Sequence, residues 1–424
     1  MNAPLDCLVV GAGLAGLACA RELVRAGRRV TVVEAADRVG GRVATDTIEG
    51  FRIDRGFQVY NDAYPEGRRQ LDLAALCLGS FEPGALIADG SKLRRVSDPW
   101  RRPLAAVGSL LDGSVGIADG LRTARLRSDA IRMLRTAAVD PDAAPIAKER
   151  TTREELLARG FSEGFIRRFF VPFFGGVFLE RSLDTSAAVF LFDFAMFSLG
   201  RACLPAGGMD AIPRQLAAGL PQGAVRLATP VRSVEPGQVT LGDGAELTAR
   251  DVVVAVDGGS AAVLLPAGLG SGLADRRWKN TRLVAFAADQ SPLLSRTLVV
   301  SAESAGPIDN LTVPSDVAAG YAPPGRSLVT ASVRSDWSGG DLVDAVKRQA
   351  TTWFGTAVEG WMHLATVEVP RALPDESPTA RLRRITGPRL AEGLWICGDH
   401  CGTASINGGL ASGRRCAETI LATG

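Results

Sequence analysis

Gly11-Ala12-Gly13-Leu14-Ala15-Gly16 stands between an apolar run, Cys7 to Val10, and a stretch of helical apolar spacing that begins at Leu14 and stops at Gly27. Glycines in this order suit a pyrophosphate. Gly11 allows the tight turn, Gly13 lets the backbone approach the phosphates, and Gly16 lets helix and strand pack closely. The helix N-terminus then offers unpaired N–H groups to the anion. Glu34 closes a second apolar strand 18 residues after Gly16. A carboxylate there accepts hydrogen bonds from ribose hydroxyls and repels a 2′-phosphate. Gly40-Gly41-Arg42 follows. It either carries the backbone and a guanidinium past the dinucleotide or forms a surface turn with a solvated arginine.

These residues need a βαβ unit to hold them, and the chain is long enough for two or three domains. Its 424 residues are 46% apolar, and 48 basic side chains oppose 46 acidic ones for a net charge of +2. That balance excludes a disordered chain and argues against a partner in duplex nucleic acid. Seven cysteines, an odd number, suit reduced thiols and a cytoplasmic setting. Met1 to Asp6 lacks the features of a targeting segment. The longest apolar stretch, 187–199, is too short to span a bilayer and contains Asp193. Helices are expected over 101–135 and over 151–174, the latter with Phe161, Phe165, Phe169 and Phe173 four apart. A short helix over 209–220 precedes strands near 225–228, 231–234, 239–241, 246–248 and 252–256. Further strands are expected near 282–287, 327–332 and 365–369. A strand at 394–397, a glycine-rich turn and a helix from about 407 to 421 close the chain.

Val9 to Leu17, Glu34 and Gly40-Gly41-Arg42 resemble the flavin-containing amine oxidase superfamily, which includes amine oxidases, protoporphyrinogen oxidases and phytoene desaturase-like enzymes. Leu204-Pro205-Ala206-Gly207-Gly208-Met209, Val252 to Val256, Gly398-Asp399 and Ser405-Ile406-Asn407-Gly408-Gly409 extend the likeness over nearly the whole chain. The resemblance implies an α/β fold. A Rossmann-like FAD-binding domain of the GR2 type would be assembled from 1–80, 205–265 and 385–424, with a mixed α+β substrate domain from 81–204 and 266–384. It also implies FAD bound extended. Gly11, Gly13, Leu14, Ala15 and Gly16 would meet the pyrophosphate, Glu34 and Ala35 the adenosine ribose, and Val231 the adenine through its backbone. Gly40, Gly41 and Arg42 would lie by the pyrophosphate or flavin edge, and Gly398 with Asp399 by the ribityl chain or pyrophosphate. Gly56, Phe57, Gln58 and Val59 would run beside the isoalloxazine. The helix opened by Ser405, Ile406 and Asn407 would aim its dipole at the flavin N1–C2=O edge. Asn407 stands where the family usually has Glu.

Amine oxidases of this family guide a neutral amine between two facing aromatic rings. Here Ser405 occupies one of the two positions and 369–374 offers no ring at the other. The expected activity is therefore that of an FAD-dependent oxidoreductase acting on a small, largely apolar organic substrate. It would remove a hydride from an sp³ C–H and leave C=C or C=N. Phe173, Phe174 and Phe178 would line the pocket, unless they are ordinary helix core. An amine oxidase with an atypical pocket, a redox-neutral FAD-dependent isomerase and a non-catalytic flavoprotein stay open. Gly268 to Gly272 follows Pro266 and lacks an acidic strand end, so it reads as a loop. With one dinucleotide signature, O2 or another acceptor would take the electrons. His400, next to Asp399, is the one acid–base candidate. It would sit near the flavin and titrate near neutrality, or be held by backbone in a loop. Lys279 reads as a surface lysine, with the lysine that the family's amine oxidases keep to hold a water on flavin N5 as the alternative, and Cys397 with Cys401 reads as no metal site. The nine arginines and four aspartates of 94–135 read as a solvated helical face, with weak peripheral membrane contact as the alternative.

Overall fold

Apolar runs that alternate with nothing polar have no face to give to water, and here they form the middle of a parallel sheet. The computed structural model describes residues 5–97, 100–101, 116–135, 149–274, 276–303, 305–385 and 387–423. Five strands lie parallel in the order Val225–Arg226, Val30–Val33, Leu5–Val10, Glu246–Val254 and Leu394–Ile396. Early, middle and late parts of the chain thus meet in one sheet. The two strands expected at 246–248 and 252–256 are one. Its first half alternates in burial and pairs antiparallel with Gln238–Leu241, which pairs in turn with Val231–Glu235. Its second half is wholly buried between parallel neighbours. The helices Leu14–Arg25 and Ile406–Thr423 pack together so closely that a Cβ on Gly413 would overlap the Ala15 carbonyl oxygen.

A second sheet has seven strands, in the order Met362–Pro374, Trp278–Ala288, Ser327–Val333, Ile308–Thr312, Leu298–Ser301, Gly84–Asp89 and Lys92–Ser97. All its pairings are antiparallel except that of Leu298–Ser301 with Gly84–Asp89.

Beside it sit the phenylalanine helices. The helix expected over 151–174 is broken. Thr152–Ala158, opened by a Thr151/Glu154 capping box, ends before Gly160, which takes φ +80°. Ser162 caps a new start at Glu163–Phe165, which widens through a π-helical turn, Ile166–Phe170, into Val171–Phe178. Pro172 has no N–H to return to the carbonyl four residues back, so the ladder opens just ahead of it. Ala187–Leu199 packs across these turns, and the ring of Phe174 meets that of Phe190 at 4.9 Å.

The basic stretch does not form one helical face. Arg94 and Arg95 belong to the strand Lys92–Ser97, the helix is Ile117–Arg135, and 102–115 lies outside the described residues. Arg101 and Arg127 donate to the Ser198 carbonyl, so part of this charge is spent inside the fold. Among the described residues no helix is long and apolar enough to cross a membrane.

Candidate active site

A cavity of about 1450 Å³ follows the carboxyl ends of the parallel strands and continues into the phenylalanine helices. Its near end is the glycine turn. Gly11 holds φ +106°, with the space of a Cβ only 2.8 Å from the Ala255 carbonyl oxygen. A side chain is excluded there on both counts. Gly16 lies off the cavity, where a Cβ would overlap the Gly11 carbonyl, so its role is helix–strand packing. Gly13 differs from both. Its φ of −71° is open to any residue, and a Cβ would meet nothing within 4 Å, because the space in front of it is cavity. The helix Leu14–Arg25 starts there without a side-chain cap or an acidic residue in its first turn. Its free N–H groups and open glycine fit a pyrophosphate. The Glu34 carboxylate stands at the wall beside Ala35, accepting from Ala12 N at 2.7 Å and Ala36 N at 2.9 Å.

Further along, the Gly40 N–H donates to the Ala12 carbonyl at 2.8 Å and ties the second glycine pair to the first. Gly40, Gly41 and Arg42 all line the cavity. Arg42 donates to Asp399 Oδ1 at 2.6 Å and to the Ala372 carbonyl at 2.9 Å. Burial opposes the charge of Asp399, yet Arg42 holds its carboxyl below the usual carboxylate range. Gly56, Phe57, Gln58 and Val59 form the adjoining wall, where Gln58 Nε2 donates to the Arg42 carbonyl. Gly398, Ser405 and Ile406 complete it, and Val231 lines the glycine end. Ser405 Oγ accepts from Gly408 N at 2.9 Å and so caps the helix Ile406–Thr423.

Three residues sit elsewhere than expected. His400 is wholly buried and off the cavity, and neither ring nitrogen has a hydrogen-bond partner among the described residues. Burial outweighs the pull of Asp399 and lowers its pKa to about 4, so it is neutral at physiological pH and does not titrate there. Asn407 also stands off the cavity. Its Oδ1 accepts from Glu66 N at 3.0 Å, inside the short helix Pro65–Gln70, which Arg414 holds through Glu66. The Asn in place of Glu therefore serves a junction between two helices. Lys279 is not at the surface. It lines the cavity, with Nζ 2.7 Å from Glu180 Oε2 and 3.1 Å from Thr185 Oγ1. Among the described residues no group of three metal-ligating side chains occurs.

The far part of the cavity is walled by rings. Phe173, Phe174 and Phe178 all line it, joined by Phe165, Phe169, Phe194 and Phe197. Phe174 is also 1% exposed and packed on other rings, so it is core and wall at once. Tyr64 and Asp193, which also line the cavity, escape the motif reading. The signal for Asp193 was present, since it is the one charge in an otherwise uncharged 13-residue helix.

The sequence profile of the flavin containing amine oxidoreductases matches residues 14–421. Among curated proteins, a phytoene dehydrogenase of Streptomyces griseus is 32% identical over 243 residues, 51% of this chain and 46% of that one. A putrescine oxidase of Kocuria rosea is 57% identical over 53 residues, 12% of this chain and 11% of that one. The chain thus aligns with about half the length or less of these relatives. A solved putrescine oxidase with putrescine bound shares the fold, at 18% identity and TM-score 0.72 over 99% of each chain. With its glycine cradle, its acidic strand end and a profile match along almost its full length, the chain belongs to the flavin containing amine oxidoreductase family, and its cofactor is FAD.

Proposed function

We propose that the protein is an oxidoreductase that takes a hydride from an sp³ C–H of a largely apolar organic substrate, leaving C=C or C=N, with O2 or another acceptor receiving the electrons. The observation that carries this reading is the continuity of one cavity from the glycine cradle to a wall of phenylalanine rings. FAD, when bound, supplies a two-electron hydride acceptor. The chain's own part is to hold and orient. Gly11 and Gly13 would let the backbone meet the pyrophosphate, Glu34 the ribose, and the Arg42–Asp399 pair the middle of the cofactor. The positive end of the helix Ile406–Thr423, with Ile406 and Gly409 on the cavity, favours negative charge next to it. The rings exclude water and shape the space for an apolar body.

The test is an anaerobic screen of the FAD-loaded protein against amines, porphyrinogens, polyenes and cyclic metabolites. Bleaching of the flavin absorbance by an apolar C–H donor supports the reading, and a flavin that no donor bleaches overturns it. One observation favours a second reading, an amine oxidase with an atypical pocket: Lys279 stands on the cavity wall. Hydrogen peroxide released in air with simple amines alone would select it.

A further inference from the structure

We propose that Asp193 anchors a positively charged nitrogen on an otherwise apolar substrate. The claim rests on the oxidoreductase reading above and names its substrate class. Val189, Asp193 and Phe197 recur four apart along Ala187–Leu199 and turn one face to the cavity, so the carboxylate occupies a place in an apolar stripe. It is 8% exposed, and among the described residues nothing donates a hydrogen bond to it. The Tyr64 hydroxyl, close enough to feel the Asp193 charge, is likewise without a partner among them.

Among the described residues the other deep carboxylates are not left this way. Asp54 accepts from Thr45, Met209 N and Tyr321. Asp251 takes the Trp395 indole, Asp399 pairs with Arg42, and Glu376 lies between Arg276 and Arg381. A buried carboxylate facing a cavity without a partner calls for one from the ligand. Its electrostatic surroundings say which kind. Burial pushes the Asp193 carboxyl up to about 7, and the neighbouring charge of Glu376, of like sign, adds to the rise. An anion would be repelled here. A neutral donor would fill a lone pair and leave uncompensated the ionised form, about half of the population near neutrality at such a pKa. A cation relieves both costs, and the rings of Phe173, Phe194 and Phe197 line the same cavity, where a ring face turned to it would favour it further.

The probes are three compounds of one shape: 4-phenylbutanamidine, 4-phenylbutanamide and 4-phenylbutanoate. Each is titrated by calorimetry into the FAD-loaded protein, without turnover. The amidinium should bind roughly ten- to a hundredfold tighter than the amide, as a charge-assisted hydrogen bond allows, and the carboxylate weakest. Asp193→Asn should abolish that preference and leave amide affinity unchanged, while Asp193→Glu should keep a preference for the cation. An amidinium that binds no tighter than the amide, or a preference that survives Asp193→Asn, overturns the anchor. If Asp193→Asn fails to hold FAD, the wild-type ratio together with Asp193→Glu decides. The two readings fail separately. Cation-selective binding with no bleaching in any screen keeps the anchor and removes the oxidoreductase. Bleaching by uncharged donors alone, unaltered in Asp193→Asn, does the reverse.

Discussion

The glycine cradle and the phenylalanine chamber share one cavity and are built by opposite means. In the cradle, backbone approaches backbone because side chains are missing: Gly11 against Ala255, Gly16 against Gly11. In the chamber, the walls exist because side chains are large and interlock, as Phe174 does with Phe190 at 4.9 Å. Space in the first is defined by what cannot be added, and in the second by what cannot be removed. Each should therefore break under the opposite kind of substitution.

The largest expected effect is on the chamber side. Phe174→Ala deletes a ring that is 1% exposed among other rings, and should cost about 4 kcal/mol of stability. FAD content per folded molecule should stay unchanged, since the cradle is built separately. Chemical denaturation with flavin absorbance as a second signal checks both. A variant that keeps its midpoint would show the ring to be wall without being core.

Behind the cradle, His400 offers the next test. Its folded pKa of about 4 lies below the ordinary 6.5, so the unfolded chain takes up the proton first. The sign follows: stability is full above about pH 6.5 and is lost as pH falls towards 4, by roughly 3 kcal/mol from this group. His400→Leu should flatten that acid loss in melting curves taken between pH 7 and 4. An unaltered slope would mean that the ring is solvated or paired. Gly16→Ala is smaller again. One added carbon against the Gly11 carbonyl should cost about 2 kcal/mol and loosen FAD as the helix shifts. Unchanged melting would show that the helix has room to move.

The same contrast explains what the sequence made legible. Gly11, Gly16 and Glu34 act through local backbone geometry and spacing, so their order in the chain carries the information, and the strands Leu5–Val10 and Val30–Val33 follow from it. The joining of 246–254 into one strand was hidden, because its two halves have different burial patterns and read as different elements. The break at Gly160 and the π turn ahead of Pro172 were masked by a ring spacing of four that runs straight through both. Lys279, Tyr64 and Asp193 reach the cavity from three distant stretches of chain, and no local pattern says that they meet. The position of His400 is hidden for a related reason. Its neighbour Asp399 lines the cavity, while the ring itself packs against Gly258.

Gly13 separates ligand from fold most sharply, because its glycine answers to no constraint within the protein. The φ of −71° suits alanine, and a Cβ would project into open cavity. Gly13→Ala should therefore leave the stability of the FAD-free protein within about 0.5 kcal/mol of the parent. The added methyl would nonetheless stand where the pyrophosphate must approach the backbone. FAD affinity should fall on the order of tenfold, equivalent to about 1.4 kcal/mol. Fluorescence titration of FAD into the stripped protein measures the second effect, and denaturation of the stripped protein the first. Equal FAD affinity in both proteins would move the pyrophosphate away from Gly13 and leave the cradle's open face without its ligand. A matching loss of stability without FAD would make Gly13 one more packing glycine like Gly16, and the division between the two would fall.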